Sequence, residues 1–145
     1  MQRVYSLLVD NNSGVLSRIS GLFTRRGYNI DSITAGVTAD SRFTRITIVS
    51  SGDEIILSQI EKQIAKLEDV IVVKVLKPEE SVYRELILVK IRANAQQRSE
   101  IVSIADIFRA KIVDAERESL VIELTGTQSK LEAFLQLLDG YELSL

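Results

Sequence analysis

Residues 9–33 read VDNNSGVLSRISGLFTRRGYNIDSI. Within them Val15, Leu16, Ile19, Leu22 and Phe23 recur at the spacing of one helix face, which predicts an amphipathic helix. Asn12 or Ser13 can cap its start, because a short polar side chain there accepts from a free backbone N–H. Gly27 can end it by adopting a positive φ. Upstream, RVYSLLV (3–9) is rich in Val, Leu and Tyr and reads as a buried strand; downstream, NIDSITAGV (29–37) reads as another. The stretch is thus the centre of a strand–helix–strand unit. Nothing in it looks like a catalytic nucleophile or a metal ligand, so its chemistry rests on backbone groups and shape.

The rest of the first half extends that unit. FTRITIVS (43–50) is a strand joined to its predecessor across TADSR, with Thr44, Ile46 and Ile48 on one face and Arg45 and Thr47 on the other. GDEIILSQIEKQIAKLE (52–68) is an amphipathic helix with Asp53 as its cap and Ile56, Ile60, Ile64 and Leu67 inward. VIVVKVL (70–76) is a fourth strand, giving the order β-α-β-β-α-β. The second half repeats the plan: strand ELILVKIRA, helix SEIVSIADIF carrying Ile101, Ile104, Ala105 and Phe108, and a hairpin of KIVDA and SLVIELT around ERE. Helix TQSKLEAFLQLL, capped by Thr127 or Ser129, and a short strand YELSL complete it. The single proline, Pro78, lies in the polar stretch between the halves, so the expected domains are 1–77 and 78–145. The predicted fold class is α+β, two ferredoxin-like βαββαβ domains. Helices cover one face of each sheet. The strands carry too much Val, Ile and Leu for a fully wet opposite face, which predicts self-association through sheet edges or faces.

Composition removes several function classes. The chain has 145 residues, 18 basic and 20 acidic side chains and a formal net charge of −2. That balance argues against a phosphate-backbone binder with a basic face, and the aromatics that would stack RNA bases on such a sheet are missing. Cysteine is absent, which excludes disulfides, thiol catalysis and zinc–thiolate sites. Histidine is absent too, so the usual general acid–base near neutral pH is missing. No convincing phosphate loop supports an acylphosphatase-type enzyme, and no zinc spacing occurs. With no apolar run near membrane-spanning length and none suited to a signal peptide, the expected location is cytoplasmic.

The turn between the first strand and helix is the candidate site. The first N–H groups of a helix lack internal acceptors and sit at the positive end of its dipole. Gly14 would let a carboxylate approach the amides of Gly14, Val15 and Leu16. Asn11 and Asn29 supply carbonyl oxygens for an ammonium, and Val15, Ile30 and Ile33 could form an apolar wall. Together these are the groups of a free amino acid. Asn-Asn-Ser-Gly is also ordinary capping chemistry, and the residues alone leave both readings open.

SLLVDNNSGVLSRISGLFTRRGYNIDSI (6–33) closely resembles the opening of the small, regulatory subunit of acetolactate synthase (acetohydroxyacid synthase), which is an ACT domain, an amino-acid-binding ferredoxin-like module. The resemblance continues in TRITIVSSGDE, LSQIEKQIAKLEDVIVV, RELILVKIRA, IFRAKIVDA and ELTGTQSKLEAFLQLL, so it spans both halves. It implies a non-catalytic chain that binds a catalytic large subunit, activates it and confers feedback inhibition, usually by valine, in branched-chain amino-acid biosynthesis. It implies no cofactor on this chain, with thiamine diphosphate, magnesium and FAD on the large subunit. It also implies a homodimer binding effector between ACT domains: Asn11, Gly14, Val15 and Leu16 from one chain, Asn29 and Ile30 from the other. The stretch after the last helix, LDGYELSL, is short for the family, which implies a second domain whose final strand departs from the usual form. The alternative is a stand-alone ACT-type sensor acting on another partner. Arg18, Arg25 and Arg26 are expected to form a basic cluster at the end of the first helix. They, and Arg42 and Arg45 on the hairpin, can neutralise a helix C-terminus or meet an acidic partner surface.

Overall fold

The computed structural model describes residues 1–144. The chain forms two compact units, Met1–Ser81 and a second from Val82 onward. In the first, β1 (Gln2–Asp10), α1 (Val15–Arg26), β2 (Ser32–Val37), β3 (Phe43–Ser51), α2 (Glu54–Ala65) and β4 (Val70–Leu76) follow in order. In the second, β5 (Glu85–Arg92), α3 (Ala95–Ile107), β6 (Lys111–Ala115), β7 (Ser119–Gly126), α4 (Gln128–Leu137) and β8 (Glu142–Ser144) repeat that order. A 3₁₀ turn, Pro78–Glu80, follows β4 near the end of the first unit. The sheets are antiparallel with equivalent orders, β2-β3-β1-β4 and β6-β7-β5-β8. This is the ferredoxin-like arrangement twice over. Over the described residues the last strand, Glu142–Ser144, pairs Lys90–Arg92 of β5.

Each core lies between one sheet face and two helices. In the first unit Tyr5, Leu7 and Val9 alternate inward on β1, opposite Ile48, Ile46 and Thr44 of β3. Val15, Ile19, Leu22 and Phe23 of α1 and Leu57, Ile60 and Ile64 of α2 close over them. Phe23 also meets the edge of Tyr28 at 5.9 Å, which fastens the chain just past the helix. In the second unit Val89, Ile91, Ile122 and Leu124 pack under Ile101, Ala105, Leu131 and Phe134.

Three local expectations are corrected. Leu57, not Ile56, fills the core beside Ile60, and Ile56 lies 37% exposed against Gly52. Capping by Asp53 starts α2 with an N–H bond from Ile56 at 2.8 Å, which sets Ile56 at the rim of the first turn. Second, α3 begins at Ala95 rather than Ser99, because Asn94 and Gln97 form a reciprocal capping box. Third, Gly14, not Asn12 or Ser13, occupies the N-cap of α1.

Candidate functional site

The turn from β1 to α1 is built around an uncapped helix start. Gly14 sits at φ +91°, a left-handed conformation that strains any residue with a Cβ. No side chain caps α1, whereas α2, α3 and α4 are capped by Asp53, Asn94 and Thr127. Asn12 is diverted: its carboxamide reaches Asp69 and Arg18 instead of the helix. The first amides of α1 are therefore available at the positive end of the helix dipole.

A cation stands beside them. Arg18 Nε donates to Asp69 Oδ2 at 2.5 Å and Nη2 donates to Asn12 Oδ1 at 3.2 Å. Nη1 lies 3.0 Å from where a Cβ on Gly14 would stand. The Arg18 hydrogen bond holds the Asp69 carboxyl below the usual carboxylate range, with a smaller contribution from Asn12. Asp69 in turn accepts from the backbone N–H of Asp10 through its carbonyl, at 2.9 Å, so the clamp ties α1 to the end of β1. Arg18 thus belongs to the first turn of α1, not to a cluster at its end. Arg25 and Arg26 alone occupy the last turn, where Arg26 donates to Gln63. On the hairpin, Arg42 is paired with Asp40 and Arg45 donates to Ser6.

Both asparagines are held by their amide nitrogens. Asn11 Nδ2 donates to the Ser41 carbonyl at 2.9 Å, and its Oδ1 accepts from Thr44 at 3.2 Å. Asn29 Nδ2 donates to Asp31 Oδ1 at 2.6 Å, while its backbone carbonyl accepts from the buried Ser50 hydroxyl. Ile30 is half-buried against the core. The side chain of Val15 is packed inside, so Val15 offers the site only its amide; Leu16 and Ile33, 48% and 42% exposed, are the apolar groups at hand.

Within one chain these residues form two separate groups. Asn11, Gly14, Val15 and Leu16 share the turn before α1, and Asn29 and Ile30 follow the other end of that 12-residue helix. Twelve residues span about 18 Å. The edge strand β2 links the two groups: Ser32 is at the Asn29 end, and Val37, opposite Thr44, is at the Asn11 end. All six β2 residues are exposed, with Val37 at 60%. Its outer N–H and C=O groups are free to pair with another strand. Antiparallel pairing of two β2 strands would set the turn of one chain beside Asn29 of the other. Among the described residues no three acidic, His or Cys side chains cluster so as to hold a metal. Among the described residues no helix is long and apolar enough to cross a membrane.

Sequence reasoning missed Asp31 and the role of Arg18. The i, i+4 spacing of Gly14 and Arg18 was the available signal for the second. Asp31 lies two residues from Asn29, which gave a weaker hint.

Comparison with known proteins bears on both units. Residues 5–72 match the family model for the AHAS small subunit-like ACT domain. Residues 84–144 match that for the small subunit of acetolactate synthase. The chain is 46% identical over 139 residues to a probable acetolactate synthase small subunit of Methanothermobacter thermautotrophicus, covering 95% of this chain and 83% of that one. It is 47% identical over 135 residues to the acetolactate synthase isozyme 3 small subunit of Escherichia coli, covering 93% and 83%. The crystal structure of the small subunit from Thermotoga maritima superposes with a TM-score of 0.90 at 40% identity, covering 99% of this chain and 92% of that one.

Proposed function

The chain belongs to the acetolactate synthase small-subunit family, and we propose that it is a non-catalytic regulatory subunit that activates a catalytic large subunit and makes it sensitive to valine or a related branched-chain amino acid. The uncapped N-terminus of α1 carries this reading. It offers free amides, a glycine and a nearby guanidinium to a carboxylate. Asn11 and Asn29 offer carbonyl oxygens to an ammonium, and Leu16 and Ile33 offer apolar contact to a side chain. The match of residues 84–144 to the small-subunit family favours this over a stand-alone amino-acid sensor.

The site is completed by a second copy. A homodimer pairing through β2 would unite Asn11, Gly14, Val15 and Leu16 of one chain with Asn29 and Ile30 of its partner. Effector that binds one dimer arrangement better shifts the population toward it, and a coupling of about 1–3 kcal/mol to the large subunit suffices for regulation. The chain itself needs no cofactor for this; thiamine diphosphate, magnesium and FAD belong to the large subunit. The test is acetolactate formation by the cognate large subunit alone, with this chain, and with this chain plus valine. Activation that valine reverses is expected. No activation by the chain would overturn the subunit assignment.

A further inference from the structure

The Asp31 carboxylate, which Asn29 contacts, accepts three side-chain hydrogen bonds. Oδ1 accepts from Asn29 Nδ2 at 2.6 Å. Oδ2 accepts from Gln2 Nε2 at 3.2 Å and from the Ser51 hydroxyl. The Asp31 backbone N–H donates to Val49 O at 2.8 Å, which fixes the residue to the end of β3. A carboxylate held from both oxygens can only accept. It therefore decides which way the Asn29 carboxamide faces: the NH2 must turn toward Asp31, and the carbonyl must turn away. Among the described residues nothing donates to Asn29 Oδ1.

We propose that Asp31 is a positioning residue that locks the Asn29 carboxamide with its carbonyl toward the bound effector, so that the site accepts an ammonium and discriminates against acids that lack one. The inference rests on the effector-site reading above. The relevant competitors are 2-oxo acids, which share the carboxylate and the side chain of an amino acid but present a carbonyl oxygen. Opposed to a locked Asn29 Oδ1, that carbonyl sets acceptor against acceptor. A freely rotating carboxamide would offer its NH2 and accommodate both. Asn11 is oriented by the same logic, with its Nδ2 tied to Ser41 O. Its carbonyl, however, already accepts from Thr44, so the Asn29 carbonyl is the unshared one.

The experiment is calorimetric titration of the full chain with valine and, separately, with 2-oxo-3-methylbutanoate. Wild type should prefer valine by about tenfold or more, the scale of a hydrogen bond to a charged group. Asp31→Asn, which can donate to Asn29 and release its orientation, should lose most of that preference, chiefly through weaker valine binding. Removing a negative charge could lower valine affinity without any change of orientation, so a second variant is needed. Gln2→Ala combined with Ser51→Ala keeps the charge and removes the supports of Asp31, and it should also reduce the preference. It serves as well if Asp31→Asn does not fold. An unchanged preference in Asp31→Asn, a preference retained in the double variant, or equal loss for both ligands overturns the positioning role while leaving the effector site intact. Failure of wild type to bind valine overturns the effector reading and this inference with it.

Discussion

Two residues show how the first unit joins stability to a usable surface. Tyr5 is fully buried on β1, and its hydroxyl donates to the Leu57 carbonyl at 2.7 Å, which anchors α2 over the sheet. Burial pushes the phenol up to about 12, because the ionised form cannot be solvated there. A raised folded-state value means that this contribution is complete below the unfolded value of about 10 and disappears as pH rises toward the folded one. Melting temperature against pH should therefore fall across that window in wild type, and fall less in Tyr5→Phe. The variant should also lose about 1 kcal/mol near neutrality for the missing hydrogen bond. Gly14 works the other way: it gives up a capping side chain to leave amides exposed. Its conformation was not legible from NNSG, because Asn12 and Ser13 have equally good capping chemistry. What decided it was Asp69, distant in sequence, which draws Asn12 and Arg18 toward itself.

At the scale of elements, the clamp between α1 and the segment before β4 sets the turn's geometry. Arg18 and Asp69 pair at 2.5 Å, and the pairing depresses the carboxyl. A depressed value gives stability that is present above the unfolded carboxyl value, about 4, and is lost as pH falls through the folded one. The difference in melting temperature between wild type and Asp69→Asn should hence be largest near neutrality and shrink in acid. Both helix–strand units were legible from periodicity because their apolar residues repeat at 3.6 or 2.0, as Ile19, Leu22 and Phe23 or Tyr5, Leu7 and Val9 do. Choices between adjacent apolar residues were not. Ile55, Ile56 and Leu57 are consecutive, and only the position of the Asp53 cap selects Leu57 for the core.

For the molecule, the decisive feature is that one chain holds the two parts of the candidate site apart. Asn11 to Leu16 and Asn29 to Ile30 were both visible as polar breaks in the sequence, and the resemblance assigned them to different chains. The structure adds the element that can join them, the exposed β2 edge. Homodimerisation through that edge predicts that Val37→Lys, which places a charge in the pairing strand, shifts the chain toward monomer in sedimentation velocity at micromolar concentration. Amino-acid binding should weaken in parallel. The second unit's match to the small-subunit family is the reason to assign it to the same family as the first.

In the proposed function the turn at Gly14 receives the effector's carboxylate. Gly14→Asp places a carboxylate there, within reach of Arg18 Nη1, which stands 3.0 Å from the new Cβ. Aspartate tolerates the left-handed backbone better than most residues. The measurement is a valine dose–response of acetolactate formation by the large subunit reconstituted with wild-type or Gly14→Asp chain. Inhibition is expected with wild type, and activation without inhibition with the variant. Full valine inhibition surviving in Gly14→Asp would contradict it and place the effector elsewhere.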